Sequence, residues 1–466
     1  MPSVPTPSPA RAVAVAYVCA LLMTAIDMQI VNVALPTLSR DFGAPLSDVQ
    51  WTVIAYLLTL AVVIPASGWI GDRLGTKRTF LFALALFTVA SALCGAAQSL
   101  PQLIAARALQ GVGGGLLTPI GTAMLFRAYG PERRARVARL IILPILIGPA
   151  SAPIIGGVLT QALSWRWVFF VNLPVGVAML AFAWFFIPEH RPSPGGRLDW
   201  RGLLLSGVGL SALLYAISEG SVLGWGSPPI LVSGIAGILL LWAFARDALR
   251  RADPILDLRL LRDPLLRSTN IVFAFTTGAF LGSLYLTPIF LQQVMHQTPI
   301  KSGTTVFLEA VGVAVGSQTL ARLYPRFGPR VMCGFGGIAL TFYLALFLLV
   351  DASTNLWFVR GLMFFGGFGN CAIFISIQTS MFTHISSADT GHASAIYNTQ
   401  RQSSIAINIA LLTTVVAGAG GTALEAFHDA YLAAAVIAGI GTILAWTLID
   451  TGLAGPTMTR RTTAES

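Results

Sequence analysis

Residues 68–78 read GWIGDRLGTKR, and this short polar turn between two apolar segments decides the fold. The segments on either side, at about 50–71 and 79–97, are each long enough to cross roughly 30 Å of hydrocarbon as a helix. Glycines in the turn allow the two helices to approach closely, and its basic cluster is typical of a cytoplasmic loop. The stretch therefore predicts a multi-pass helical membrane protein with this turn inside the cell.

The composition agrees with a membrane protein. Of 466 residues, 55% are hydrophobic and only 10% are charged, with a mean hydropathy of +0.76, which is too apolar for a soluble protein of this length. The alternating ten-residue pattern of a membrane β-barrel is missing from the sequence. Cys19, Cys94, Cys333 and Cys371 all fall within apolar segments without paired spacing, which indicates neither disulfides nor a metal site.

Apolar runs of spanning length recur along the whole chain and predict fourteen transmembrane helices. These predicted spans lie at about 12–36, 50–71, 79–97, 101–126, 138–162, 168–187, 201–219, 228–246, 267–291, 302–321, 330–350, 356–380, 391–418 and 430–449.

The distribution of Lys and Arg orients these spans. With the N-terminus inside, about 23 basic residues fall on the cytoplasmic side and four fall outside. The four outside are Arg40, Arg166, Lys301 and Arg360. This bias explains the net charge of +10, so no nucleic-acid partner is needed to account for it. It predicts a multi-pass protein of the cell membrane with both termini on the cytoplasmic side.

An internal repeat predicts the domain organisation. QTLARLYPRFGPR at 318–330 resembles the turn at 68–78 and aligns Arg73 with Arg326, Gly75 with Gly328 and Lys77 with Arg330. Two related six-helix bundles around a central site is how many secondary transporters are built. We therefore expect a disordered tail at 1–11, a first bundle at 12–187, a linker with two extra helices at 188–266, a second bundle at 267–449 and a tail at 450–466.

The order of residues in the turn, G-x-x-x-D-R-x-G-x-K-R, resembles the signature loop of the major facilitator superfamily. That resemblance implies a cytoplasmic gate, in which the acid would close the cytoplasmic side by contacting a helix end of the opposite half. The gate residues are Gly68, Asp72, Arg73, Gly75, Lys77 and Arg78.

Two later spans carry further signatures. LIAARALQGVGGGLLTP places Arg107 above a face of small residues, and this run resembles the superfamily signature whose arginine is assigned to proton coupling. ILIGPASAPIIGGVL resembles the antiporter signature of the drug-exporting branches, with Ala152 where those branches usually have Gly. Its motif residues are Gly148, Pro149, Pro153, Gly156 and Gly157.

VNVALPTL at 31–38 and SWRWVFFVNLPVG at 164–176 resemble hallmarks of the fourteen-span drug:proton antiporter family. The resemblance covers nearly the whole chain. It implies the all-α major facilitator fold with two added helices, and no cofactor.

Four charged residues, Asp27, Arg107, Glu309 and Arg401, lie deep within predicted spans, where a charge costs roughly 2.5 to 3.5 kcal/mol. Asp27 lies about 20 Å from the inner end of the first span, and Arg107 about 9 Å from the outer end of the fourth, so their depths nearly coincide. We expect Asp27 to carry a proton and Arg107 to set how tightly it is held; the alternative is a structural ion pair. Glu309, at a similar depth, could bind a cationic substrate, act as a second proton site or reach the outer surface.

Polar residues elsewhere in the spans are candidates for the lining of a substrate cavity, although single Tyr and Asn residues also serve in helix contacts. They are Tyr56, Gln110, Asn270, Tyr285, Asn370, Asn398 and Arg401.

The sequence predicts a proton-coupled exporter of amphipathic or cationic small molecules, working by alternating access as a monomer. The alternatives are an importing or proton-independent facilitator of a metabolite or lipid, and a membrane sensor that does not transport. An enzyme is disfavoured because the five histidines are scattered. No Walker-type phosphate loop occurs in the sequence, so ATP-driven transport is not indicated.

Overall fold

The computed structural model describes residues 8–129, 148, 151–189, 198–385, 389–419, 421–450 and 452. Within these ranges all regular secondary structure is helical. The helices are α1 (Pro9–Phe42), α2 (Leu46–Val49), α3 (Trp51–Leu74), α4 (Thr76–Ala96), α5 (Leu100–Tyr129), α6 (151–162), α7 (Trp167–Phe170), α8 (Asn172–Phe186), α9 (Trp200–Leu223), α10 (Pro228–Arg250), α11 (Pro264–Gln293), α12 (Pro299–Leu346), α13 (Leu356–Ser380), α14 (Thr390–Gly418) and α15 (Ala423–Leu448). Short 3-10 helices lie at Leu258–Arg262 and Phe347–Leu349.

Eleven helical segments in the described ranges are long and apolar enough to cross a membrane. One of them, Pro299–Leu349, has 51 residues and breaks at Gly328. This glycine lies between the two predicted spans 302–321 and 330–350. α14 matches the predicted span 391–418 but is too polar to be among the eleven. The predicted span 138–162 lies partly outside the described residues, and the number fourteen stays a prediction.

The first compact unit consists of residues 1–210 together with 298–303. At its centre α5 packs extensively against α3 and α4, and α1 packs against α5 and α8. Glycines on the predicted face bring α5 close to α3: Gly111 lies on the backbone of Tyr56, and Gly115 lies against Val63 and the carbonyl of Leu60. The small-residue face predicted for the fourth span is therefore a helix-packing surface.

The second compact unit consists of residues 211–297 together with 304–466. α11 is its most buried long helix and packs against α13, α14 and α15. An aromatic cluster connects α11, the 3-10 helix after α12 and α15. In it Phe347 is stacked on Tyr431 at 4.3 Å between ring centroids, and Phe290 meets both rings edge-on. The boundary between the units falls within α9, and the predicted arrangement of two six-helix bundles around a two-helix linker stays a prediction.

The internal repeat is visible in the backbone. Gly75 has φ +93° and separates α3 from α4, and its predicted counterpart Gly328 has φ +74° and interrupts α12. Residues with a side chain rarely adopt such angles, so both copies use glycine to turn the chain sharply between two helices. The alignment made from the sequence thus pairs two equivalent turns.

The first helix begins close to the end of the predicted tail. α1 starts at Pro9, two residues before residue 11, where the predicted tail ends. Proline at the first position of a helix loses no hydrogen bond and already has a helical φ, so the Pro-rich stretch starts the helix.

Candidate functional site

Asp27 and Arg107 form a fully buried ion pair in the first unit. Both side chains have 0% exposure, and Nη1 of Arg107 lies 2.6 Å from Oδ2 of Asp27. Asp27 comes from α1 and Arg107 from α5, so the pair joins two helices whose charged residues are 80 positions apart. The equal depths estimated from the sequence correspond to a direct contact.

Two amides complete the surroundings of the carboxylate. Nε2 of Gln110 donates to Oδ1 of Asp27 at 2.8 Å, and its Oε1 accepts from Nη1 of Arg107, also at 2.8 Å. Nδ2 of Asn172, in the first turn of α8, donates to the same Oδ1 at 3.0 Å and to Oγ of Ser91 at 3.1 Å. The carboxylate therefore receives donors on both oxygens, as an ionised group in a low-dielectric interior requires.

Arg107 is held on its other sides by α3 and α7. Its Nε donates to the carbonyl oxygen of Thr52 at 3.0 Å, and its guanidinium carbon lies 4.2 Å from the ring centroid of Tyr56 and 5.8 Å from that of Phe169. A cation over an aromatic face is stabilised further when water is excluded. Tyr56 and Gln110, predicted to line a cavity, are fully buried here and contact the ion pair.

Protonation would change the electrostatics of this cluster. A proton arriving on Asp27 would remove the negative charge that Arg107, Gln110 and Asn172 stabilise through its two oxygens. Removing one partner of such a buried pair leaves an uncompensated charge, which costs about 3 to 5 kcal/mol. Protonation and the contact between α1 and α5 are therefore coupled.

Glu309, on α12 in the second unit, has a different environment. Its side chain is half-buried, lies near Tyr343 and Cys371, and has no hydrogen-bond or ion-pair partner among the described residues. Gly367 of α13 contacts the carbonyl of Glu309 so closely that a Cβ would overlap it. The backbone of Glu309 is thus fixed by a close helix contact, while the carboxylate is available to a ligand or a proton.

The other predicted polar residues of this unit do not form a single cluster with Glu309. Asn270 and Asn398 donate to carbonyl oxygens of their own helices, and Asn370 accepts from Thr277 at 3.5 Å. Tyr285 is fully buried near Thr413, and Arg401 is half-buried near Tyr397.

The predicted gate is organised by a residue that was not part of the prediction. Oε1 of Glu189 accepts from the backbone N–H of Lys77 at 3.2 Å, and Oε2 lies 3.6 Å from Nε of Arg78. A carboxylate at the N-terminus of α4 is favoured by the helix dipole. Nζ of Lys77 donates to the carbonyl of Trp184 at 2.7 Å, so the end of α8 holds the start of α4.

Two other gate residues contribute less to these contacts. Arg73 lies over the ring of Trp69, and Gly68 has open space around it. The side chain of Asp72 and its predicted contact with the opposite half lie outside the described residues.

The predicted antiporter motif lies at close helix contacts. Gly148 and Gly156 lie against Ala25 and Ile30 of α1. Gly157 lies against Pro299 in the first turn of α12, where a Cβ would come within 2.6 Å of the carbonyl oxygen.

The same surface of α6 makes two more contacts with that turn. Gly303 lies against the carbonyl of Pro153, and Gln161 accepts from the N–H of Ile300 at 3.3 Å. Pro149 lies outside the described residues. The small residues at this spacing therefore allow α6 to touch two neighbours along its length.

Sequence reasoning missed Asn172, Ser91 and Thr52. Asn172 stands in the quoted stretch SWRWVFFVNLPVG and is the first residue of α8, and an amide among apolar residues was the available signal. Thr52 acts through its backbone carbonyl, which leaves no trace in the side-chain pattern.

No group of His, Cys, Asp and Glu in the described part of the chain could hold a metal ion. The four cysteines are free, and three of them are buried.

The chain is similar to a large family of membrane transporters. A family model described as Major Facilitator Superfamily matches residues 17–409. The Multidrug resistance protein B homolog of Mycobacterium tuberculosis (strain ATCC 25618 / H37Rv) is 38% identical over 318 residues, 67% of this chain and 59% of that protein. The chain thus matches less than two thirds of this relative's length.

Other relatives are matched over more of their length. The Drug efflux pump JefA of the same strain is 31% identical over 411 residues, which cover 87% of this chain and 80% of the pump. The Putative multidrug resistance protein MdtD of Pectobacterium carotovorum subsp. carotovorum (strain PC1) is 30% identical over 365 residues, which cover 77% of this chain and 76% of that protein.

Solved structures support the fold. The crystal structure of a D-xylose-proton symporter superposes with a TM-score of 0.70 at 13% identity, covering 96% of this chain and 99% of that one. The human organic anion transporter MFSD10 (TETRAN) gives a TM-score of 0.60 at 16% identity. At these identities the likeness concerns the fold alone.

Proposed function

The chain belongs to the major facilitator superfamily, and from this premise we propose that it is a proton-coupled antiporter that exports amphipathic or cationic small molecules. Relatives that match most of the chain are named as a drug efflux pump and as multidrug resistance proteins, which favours export over import. We place it in the cell membrane as a monomer with both termini in the cytoplasm, as the distribution of Lys and Arg predicts.

The buried pair of Asp27 and Arg107 is the observation that carries the proposal. Ionisable residues at this depth are costly, and in transporters they mark ion pathways. Here the carboxylate has 0% exposure and accepts three hydrogen bonds, so water does not reach it in this arrangement. An alternating-access cycle supplies the second arrangement, in which water reaches Asp27 and a proton replaces Arg107 on the carboxylate.

Coupling then follows from charge. When Asp27 is protonated, the buried Arg107 no longer has a negatively charged partner on α1. The free energy of the contact between α1 and α5 therefore changes. Substrate binding and proton binding therefore compete for one conformational equilibrium, and each ligand shifts it by its differential affinity for the two states. The cycle therefore exchanges protons that enter the cell for substrate that leaves it.

Transport in inverted membrane vesicles tests the proposal. With an acidic lumen and ethidium as a lipophilic cationic probe, the wild type should accumulate the dye while its lumen becomes more alkaline. Asp27→Asn should lose both signals yet still exchange labelled for unlabelled dye at equal concentrations, because that exchange needs no net proton movement.

The matched control is Asp41→Asn, since Asp41 lies near the end of the same helix and accepts from the indole of Trp165 at 2.8 Å. Full proton-driven accumulation by Asp27→Asn would exclude Asp27 as the proton carrier. Dye exchange without alkalinisation in the wild type would instead indicate a proton-independent facilitator. No transport of any probe by the wild type would favour a sensor.

A further inference from the structure

We propose that the first unit binds one diacyl anionic phospholipid astride the start of α4, with its phosphate on Arg78 and its two acyl chains in separate grooves. The proposal does not depend on which substrate the protein exports. It rests on the shape, charge and aromatic content of a surface formed by α3, α4, α5, α8 and the beginning of α9.

Two apolar grooves flank α4. The first, with a volume of about 560 Å³, lies between α4 and α8 and is lined by Leu81, Ala85, Leu180 and Trp184 among others. The second, of about 580 Å³, lies between α4, α3, α5 and α9, with Val63, Leu116, Trp200 and Leu203 on its walls. Both open at the surface of the unit, where a membrane protein meets acyl chains.

Among the residues that the structure describes, the two grooves share Arg78 and Phe82. These residues lie one helical turn apart on the same face of α4, so Phe82 forms the ridge between the grooves and Arg78 stands where they meet. Within the described residues, Arg78 is also the one charged residue that lines either groove. A single cation where two apolar grooves meet matches a molecule that carries one phosphate and two hydrocarbon chains.

The charge around Arg78 favours an anion. Its side chain is 66% exposed although Glu189 lies 3.6 Å from its Nε, and Arg73 and Lys77 lie in the same turn. These three cations outnumber the two acids nearby, Asp72 in the same turn and Glu189 in contact with the start of α4. Basic clusters next to a span attract the anionic lipids of the cytoplasmic leaflet, which is where this turn is predicted to lie.

Tryptophans set the depth of the site. Trp184 lines the first groove, and Trp69 and Trp200 line the second. Tryptophan is enriched at the level of lipid headgroups, because its ring is apolar and its N–H is polar. Three of them around Arg78 place the guanidinium at the height of a phosphate, with the grooves extending into the hydrocarbon.

The internal repeat offers a comparison within the same chain. The alignment that pairs Gly75 with Gly328 places Val331 opposite Arg78, so the second copy of the turn lacks this cation. Arg326, the counterpart of Arg73, remains an exposed arginine in an equivalent turn. The proposed site therefore belongs to the first copy, and Arg326→Gln is a matched control for Arg78→Gln.

Native mass spectrometry of the purified protein, titrated with dioleoyl phosphatidylglycerol or dioleoyl phosphatidylcholine, tests the proposal. The wild type should retain one phosphatidylglycerol about fivefold more tightly than phosphatidylcholine, as expected for one arginine at a charged surface. Arg78→Gln should abolish this preference, whereas Arg78→Lys and Arg326→Gln should keep it.

The number of acyl chains that the site holds is tested with lysophosphatidylglycerol, which has one chain, and with two variants that each fill one groove, Ala85→Trp and Leu203→Trp. Either variant should weaken binding of the diacyl lipid. The wild type should bind lysophosphatidylglycerol more weakly than the diacyl lipid. Equal retention of the two headgroups, or unchanged preference in Arg78→Gln, would overturn the phosphate site. Equal retention of one-chain and two-chain lipids would overturn the two-groove arrangement. Because Arg78 is exposed, its variants keep the test open even if a tryptophan variant fails to fold.

Discussion

Asn172 donates one amide to two polar groups that lie on different helices, the carboxylate of Asp27 on α1 and the hydroxyl of Ser91 on α4. A hydrogen bond to a buried charged group contributes about 1.5 to 3 kcal/mol. Asn172→Ala should therefore lower the stability of the detergent-solubilised protein by this amount, measured as a reduced midpoint of thermal unfolding. Asn398→Ala is the control, because that amide bonds only to a carbonyl of its own helix. Equal effects of the two variants would show that Asn172 does not support the pair.

The ion pair itself can be separated from its individual charges. Arg107→Gln leaves the buried carboxylate of Asp27 without its cation and should cost about 3 to 5 kcal/mol. The double variant with Asp27→Asn should recover a large part of this loss, because two neutral amides can then bond to each other. A double-mutant cycle on thermal stability measures the coupling. Strictly additive losses would contradict the contact.

The sequence allowed part of this residue-scale description to be predicted. Asp27 and Arg107 stand out because a charge in an apolar span is rare, and helix rise converts their positions into similar depths. Asn172 lies 145 residues from Asp27, and nothing in its own neighbourhood indicates which helix it faces. Tyr56 and Gln110 were recognised as polar residues in spans, but their partners depend on helix rotation, which hydropathy does not fix.

At the scale of elements, the turn between α3 and α4 depends on one glycine. Gly75 has φ +93°, and a Cβ there would lie 2.7 Å from Oε1 of Glu189, the residue that accepts from the N–H of Lys77. Gly75→Ala should therefore cost about 1 to 3 kcal/mol through backbone strain and loss of this contact.

Gly68→Ala provides the opposite expectation within the same stretch. Gly68 lies in α3 with open space around it, and alanine favours a helix by up to about 1 kcal/mol relative to glycine. Thermal unfolding of the two variants side by side should give opposite signs. A stable Gly75→Ala protein would show that the turn tolerates another conformation.

Element boundaries were predictable where the chain itself signals them. The glycines at 75 and 328 were paired from the repeat alone, and both interrupt helices at the expected places. α14 agrees with the predicted span 391–418 despite its many polar residues. The contact of Glu189 with α4 was not predictable, since it joins two helix ends 112 residues apart.

At the scale of the whole molecule, the two units contribute charges of different character. In the first, Asp27 is fully buried, accepts hydrogen bonds on both oxygens and is paired with Arg107. In the second, Glu309 is half-buried and has no bonded partner among the residues described. A buried, paired carboxylate suits a proton that exchanges with a conformational change, and an unpaired one suits a cationic ligand that arrives from outside the protein.

Glu309→Gln should therefore alter substrate choice and leave proton coupling intact. Loss of one favourable charge in a partly desolvated site should reduce the binding free energy of a cationic dye by about 1.4 kcal/mol or more. This corresponds to a rise of about tenfold in the KM for that dye. A neutral amphipathic substrate should keep its KM and its rate, because its binding does not use the carboxylate. Initial rates of efflux in vesicles, measured for both substrates over a range of concentrations, give the comparison.

Asp27→Asn supplies the contrast, because a proton carrier serves every substrate alike and its loss should slow the efflux of both by a similar factor. Glu309→Asp retains the charge on a shorter side chain and should rescue the cationic dye at least in part. If Glu309→Gln instead slowed both substrates equally and reduced lumen alkalinisation per substrate exported, Glu309 would be a second proton site. The ratio of protons to substrate thus separates the two roles, because a substrate-binding charge changes affinity, whereas a proton-carrying charge changes stoichiometry.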